Sequence, residues 1–456
     1  MLSRFKCLHS LNLSGSRVRE LLSSIGKLKH LRYLDLSYNA DIKKLPTSLT
    51  RLRNLQTLDL SGCGINELPR DIEKMVGRSN GSTFQKNCEL SELNGLNSLR
   101  GKLTIKNLEH MEKATTPTLA ILEAKQYLQS LKLKWEPIDD NVVSDDRGEV
   151  RIDEILLEGL KPHPNLKRLS IFCFGGVKLS SWLSSITNLT SINLVDCERC
   201  QHIPPLEQLP YLKILSLRGL HDLEYVSDQG MDSSSCTPST TFYQSLKELK
   251  LTDCSKLLGW WRRDKDNDDD GEMTWLIELP SFPCLSKLTI NGCPKLTSMP
   301  LYPSLEELYL EDTSSKPLQQ TMKLVTGVAV APSTSSCFLV PLSRLKSMSI
   351  ECVWDLEVLP EEGVKKLTAL TDLKIVSCPT LFQLFRGIGH LISLQNIIIR
   401  DCHDFFDEDN YDMQWQGLRS LCCLRLSGLP AMESPPLGLL QHLVIWDCHN
   451  LLVLPE

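Results

Sequence analysis

The stretch LQTLDLSGCGINELP, Leu55 to Pro69, decides the fold because it does not stand alone. Upstream, LRYLDLSYNADIKKLP (Leu31–Pro46) has the same spacing and puts Asn39 where Cys63 stands. Downstream, the pattern returns in LTSINLVDCERCQHIP from Leu189, LKELKLTDCSKL from Leu246 and LSKLTINGCPKLTSMP from Leu285. It returns again in LTDLKIVSCPTL from Leu370, LQNIIIRDC from Leu394 and LQHLVIWDCHNLLVLP from Leu440. Cys63, Cys197, Cys254, Cys293, Cys378, Cys402 and Cys448 all hold one slot, which Asn39 also fills. Weaker copies begin near Leu8, Arg100, Leu128, Leu166, Leu212, Leu305, Leu345 and Leu421.

About sixteen copies, often 20–27 residues apart, carry the LxxLxLxx(C/N) signature of leucine-rich repeats. Each copy opens with a short strand. In LQTLDL, Leu58 and Leu60 alternate with Thr57, Asp59 and Ser61, so one face is apolar and the other polar. A single repeat cannot bury its apolar face; stacking does so, and stability resides mostly in neighbour interfaces. The expected fold is an α/β solenoid, a leucine-rich-repeat horseshoe with a parallel sheet on its concave face.

After the strand the backbone turns away and leaves buried N–H and C=O groups that need partners. Asn suits that slot because its amide both donates and accepts, and Cys is a compact, weakly polar stand-in. Asn39 and the seven cysteines are therefore read as a structural ladder. The later Leu-Pro closes the coil.

The formal charge of −6 gives no reason to expect nucleic acid as the main partner. The start, MLSRFKCLHSLNLSGS, enters the repeat register without an apolar leader, and no run approaches a membrane span. Seventeen cysteines, seven of them absorbed by the ladder, fit a reducing cytoplasmic or nucleo-cytoplasmic setting. Three segments are expected: regular repeats over 1–76, irregular repeats with helical and acidic insertions over 77–164, and repeats with loop insertions over 165–456. TTPTLAILEAKQYL reads as a helix with Thr116 as N-cap and Pro117 at its first position. IDEILLEGLKP is helix-like, and GRSNGSTFQKNCELSELNGLNSLRGKLTI contains polar linker before a strand resumes at Leu103 and Ile105.

Three local patterns suggest other chemistry and fall short of it. DNDDDG (Asp266–Gly271) opens like a calcium loop, but its twelfth position is Ile277 where a bidentate Glu is needed. CERC (Cys197–Cys200) has zinc spacing without a second ligand pair. GLNSLRGKL (Gly95–Leu103) has its glycines one residue too far apart for a phosphate loop, and Leu103 replaces the magnesium-binding Ser/Thr. No enzyme, cofactor or metal is expected.

Strand residues facing away from the core can meet a partner. Lys106, Lys132, Lys134, Arg168 and Arg218 make the middle of the array basic, while Ile398, Val444 and Trp446 make its end more apolar. Aromatic and arginine residues are the usual interface anchors. The expected partner-binding set is Lys132, Lys134, Trp135, Arg168, Phe172, Arg218, Tyr309, Arg400 and Trp446; otherwise these merely decorate a solvated sheet.

The wording of several segments resembles the coiled-coil class of plant intracellular nucleotide-binding leucine-rich-repeat disease resistance proteins. The resemblance is carried by FKCLHSLNLSGS, IGKLKHLRYLDLSYN, IKKLPTSLTRLRNLQTLDLSGC, LRGKLTIKNLEHM, LQSLKLKWE and KPHPNLKRLSIFCFGGVKLSSWL, and it covers essentially the whole chain. It implies a sensor for a pathogen effector or a guarded host protein. It also implies restraint of a nucleotide-binding switch, which this chain lacks and whose acidic surface the basic middle could meet. A stand-alone adaptor or decoy, and a ubiquitin-ligase recognition arm, are the alternatives.

Overall fold

The computed structural model describes residues 5, 7–55, 57–60, 63–65, 81–84, 100–106, 108, 121–137, 146–227, 242–261, 281–323, 342–381, 387–402, 417–428 and 440–446. The chain divides into two compact units, Met1–Leu212 and Lys213–Glu456.

In the first unit the strands are β1 (Ser10–Asn12), β2 (Tyr33–Asp35), β3 (Thr57–Asp59), β4 (Gly81–Phe84), β5 (Gly101–Ile105), β6 (Leu128–Lys134), β7 (Arg168–Phe172) and β8 (Ser191–Val195). Each pairs in parallel with the next. In the second unit the ladder is β9 (Ile214–Arg218), β11 (Glu248–Thr252), β13 (Lys287–Cys293), β14 (Glu307–Thr313), β15 (Ser347–Glu351), β16 (Asp372–Val376), β17 (Asn396–Arg400), β18 (Cys423–Ser427) and β19 (His442–Trp446). β10 (Tyr225–Ser227) and β12 (Gly259–Trp261) make a separate two-stranded parallel sheet.

Register follows the leucine pattern. Thr104, Lys132, Ser170 and Asn193 lie side by side, as do Tyr309, Ser349, Lys374, Ile398, Arg425 and Val444. The residues between them turn inward: Leu131, Leu133 and Ile171 are fully buried. Each such side chain contributes roughly 2 kcal/mol through removal from water.

Behind the strands the leucines repeat every third residue. Ile25, Leu28 and Leu31, then Leu49, Leu52 and Leu55, are all buried. Their N–H groups bond three residues back, Leu28 to Ile25 and Leu52 to Leu49. A three-residue turn places i and i+3 on one face, so this spacing selects 3₁₀ turns at Ser23–Lys27 and Thr47–Arg51.

The corner after each strand repeats one geometry. Tyr38, Asp196, Asp253, Gly292, Ser377 and Asp401 have φ between 52° and 63°, the left-handed region. Each stands directly before the ladder slot. The N–H groups of Asp253, Ser377 and Asp401 donate at 2.8–2.9 Å to Asn291 O, Arg400 O and Ser427 O of the next strand, so the turn lengthens the sheet by one bond. The slot residue then meets the buried carbonyls. Asn39 Nδ2 donates to Leu13 O and Leu36 O, both at 2.8 Å, and Asn39 Oδ1 accepts from Val18 N–H at 2.8 Å. Cys63 Sγ lies 3.0 Å from Leu36 O. The thiols of Cys197, Cys254 and Cys378 point to the carbonyls of Ile171, Leu217 and Ile350 at 3.9–4.0 Å. Cys293 and Cys402 contact Asn291 O and Arg400 O at 3.4 and 3.2 Å. Cys448 lies outside the described residues.

Three elements differ from the sequence reading. Gly81–Phe84, taken as linker, is a strand; GSTF carries no leucine alternation to announce it. Ile121–Ala124, read as part of a helix, is a turn, and Thr116 and Pro117 fall outside the described residues. Lys316–Lys323, within the segment expected to hold repeats with loop insertions, is an α-helix with Pro317, Leu318, Thr321 and Met322 buried.

Three substitutions test the corner by denaturant titration. Asn39→Ala is expected to cost about 2–4 kcal/mol, because it strands several buried backbone groups, whereas Cys63→Ala costs about 1 kcal/mol. Gly292→Ala places Cβ 2.8 Å from Asp253 Oδ1 at φ +63° and is expected to cost about 2 kcal/mol or more. Equal stability of Gly292→Ala and the parent would show that the corner does not constrain the coil.

Candidate protein-binding face

The outward positions of β5–β8 are Lys102 and Thr104, then Ser130, Lys132 and Lys134, then Arg168, Ser170 and Phe172, then Ser191, Asn193 and Val195. None is a carboxylate. Lys132, Lys134 and Arg168 are exposed, and Phe172 is half-buried beside Lys134 in register. With strands about 4.8 Å apart, four cations and an aromatic ring share three adjacent strands. The structure thus brings Lys132, Lys134, Arg168 and Phe172 together.

Trp135 does not join them. It is only 1% exposed. Its Nε1–H donates to Asp153 Oδ1 at 3.0 Å, and its ring meets Phe174 edge-on at 5.3 Å. The alternation explains the correction: Lys132 and Lys134 point out, so Trp135, one step on, turns in. Asp153 lies on the helix Asp146–Gly159, which is pinned through its acidic residues. Glu154 accepts the Val177 and Lys178 N–H groups at 3.0 Å each, Glu158 accepts the Ser180 hydroxyl, and Trp182 Nε1–H donates to Leu157 O. Part of the acidic insertion is therefore structural.

In the second unit Arg218 is exposed on β9, and Tyr309 is half-buried on β14. Tyr309 Oη donates to Glu311 at 2.7 Å, and Asn291 Nδ2 donates to the same carboxylate. Burial, the bond to Glu311 and the charge of Glu351 hold the Tyr309 phenol well above its usual range. Beside it, Glu351 accepts from Lys374 Nζ at 2.7 Å and Ser349 Oγ at 2.8 Å. Burial alone would raise the Glu351 carboxyl, but these bonds outweigh it and hold it below the usual range. Lys287 pairs with Glu307 at 2.6 Å. This stretch is internally neutralised, unlike β5–β8. Further on, Arg400 and Trp446 share one register row with Ser427 between them. Trp446 is 74% and Val444 49% exposed.

Among the described residues no cluster of three or more His, Cys, Asp or Glu side chains could hold a metal. Cys197 and Cys200 are buried and aimed at backbone carbonyls. Asp266–Gly271 lies outside the described residues. No helix among the described residues is long and apolar enough to cross a membrane.

Comparison with known proteins agrees with this geometry. Residues 1–77 match a leucine-rich repeat region model, and residues 90–220 match the R13L1/DRL21 leucine-rich repeats. Disease resistance protein RGA1 of Solanum bulbocastanum is 34% identical over 407 residues, covering 82% of this chain and 36% of the relative. RGA4 of the same species is 32% identical over 81% of this chain and 36% of its own length. The chain is a leucine-rich-repeat region of the plant disease resistance family. The resistance-protein RPP13-like protein 1 of Arabidopsis thaliana is 27% identical over 87% of this chain and 41% of that protein. This repeat region therefore spans about a third to two-fifths of the length of these relatives. Among solved structures, a leucine-rich-repeat protein of Leptospira interrogans shares 18% identity, with a TM-score of 0.42 over 92% of this chain and 84% of that one.

The lowered Glu351 carboxyl makes the repeat region sensitive to acid. A depressed carboxylate stabilises the fold above its unfolded value, near 4.5, and that contribution is lost as pH falls through the folded value. Thermal melts of the parent and Glu351→Gln should differ near pH 7 in favour of the parent and converge as pH falls below 4.5 and through the lowered folded value. A constant difference across that range would rule out the ionised carboxylate as its source.

Proposed function

We propose that this repeat region is the recognition surface of a plant immune receptor. It reads a pathogen effector or a guarded host protein and restrains a nucleotide-binding switch supplied by the rest of the receptor. The cationic face of β5–β8 carries the reading: Lys132, Lys134 and Arg168 stand exposed on the adjacent strands β6 and β7 with no carboxylate among the outward strand positions. Such a face attracts an acidic protein surface and speeds its encounter. The half-buried Phe172 ring adds apolar contact beside the charges.

The restraint is tested by titrating the nucleotide-binding portion of the relative RGA1, as a separate chain, against this one. Lys132→Glu/Lys134→Glu/Arg168→Glu should weaken binding about tenfold or more and leave the melting temperature nearly unchanged, since exposed substitutions cost about 0.5 kcal/mol or less. Equal binding by parent and triple variant would remove this face from the contact.

A further inference from the structure

We propose that the outward face of β17–β19 is a second docking surface, which takes an amphipathic acidic α-helix of a partner protein. This inference rests on the protein-recognition reading above but uses different residues. The outward positions there are Asn396, Ile398 and Arg400, then Cys423, Arg425 and Ser427, then His442, Val444 and Trp446. No carboxylate is among them. On the neighbouring β16, Lys374 is engaged by Glu351, and Asp372 accepts from Asn396 Nδ2 at 2.7 Å and from Thr371 Oγ1 at 2.6 Å. Arg400, Arg425 and His442 are exposed on a face that also shows Trp446 and Val444.

The spacing selects a helix. Ile398, Arg425 and Val444 form one row, so the two apolar residues lie two strands apart, about 9.6 Å. Seven residues of α-helix rise about 10.5 Å. Apolar side chains at i and i+7 would sit over Ile398 and Val444, and a carboxylate at i+3 or i+4 would meet Arg425. The row of Arg400, Ser427 and Trp446 lies about 6.6 Å away along the strands, within the ~10 Å width of the same helix. A second copy of this chain is a poor occupant, because it would set like charges against each other. Nucleic acid would engage the arginines but leave Ile398 and Val444 without aliphatic partners.

The probe is a fluorescein-labelled helical peptide about three heptads long, with Leu at every seventh position, Glu three and four residues after each, and Ala elsewhere. Its anisotropy is followed on addition of the full chain. Saturable binding is expected. Arg425→Glu and Trp446→Ala, each checked for an unchanged melt, should weaken it about tenfold. Lys132→Glu/Lys134→Glu should not change it. Absence of binding overturns the inference. So does equal binding of the Lys-for-Glu or Ser-for-Leu peptide, indifference to both substitutions, or tighter binding of single-stranded RNA of equal length. Failure here, with the β5–β8 titration still positive, leaves the recognition reading in place.

Discussion

The coil corner is the constraint on which the rest depends. A chain leaving a buried strand must reverse direction while its peptide groups stay paired. Here one left-handed residue aims its N–H at the next coil, and the residue after it fills the pocket among buried carbonyls. Asp, Gly and Ser recur at the first position because short polar side chains, or none, tolerate that backbone. Asn or Cys recurs at the second because it is small and can be buried. Once the corner is fixed, each strand enters in the same register as the last, and outward residues of successive coils become neighbours.

That alignment turns one-dimensional sequence into surface chemistry. Residues that share a phase along the chain form rows about 4.8 Å apart, so a few lysines in consecutive repeats become a patch. In β5–β7 the rows concentrate positive charge. In β13–β16 they pair it away through Lys287–Glu307 and Lys374–Glu351. The exposed Lys287–Glu307 pair adds little stability, so its consequence is electrostatic: together with the part-buried Lys374–Glu351 pair it quiets one section of the face and leaves others to attract partners.

Much of this was legible. The alternation around Leu131 and Leu133 fixed which lysines face out, and the repeated Cys slot marked the corners. Trp135 was misplaced because its residue type was weighed above its parity in the strand. The strand Gly81–Phe84 could not be seen, since its place in the ladder comes from pairing with neighbours and not from a leucine pattern. The left-handed corners did leave a trace, the Asp, Gly or Ser before each ladder cysteine, as in Asp196, Asp253, Gly292, Ser377 and Asp401. The network joining Asn291, Tyr309, Glu311 and Glu351 left none, because its members come from three separate repeats.

The cysteine ladder also makes the molecule a record of its own breathing. The thiols of Cys197 and Cys402 are wholly buried, and burial pushes both up to about 12. At neutral pH neither presents a thiolate, so an alkylating reagent reaches each one only while its coil is open. Because a solenoid opens coil by coil rather than all at once, the order in which these sulfurs react traces where along the array unravelling starts and how far it spreads.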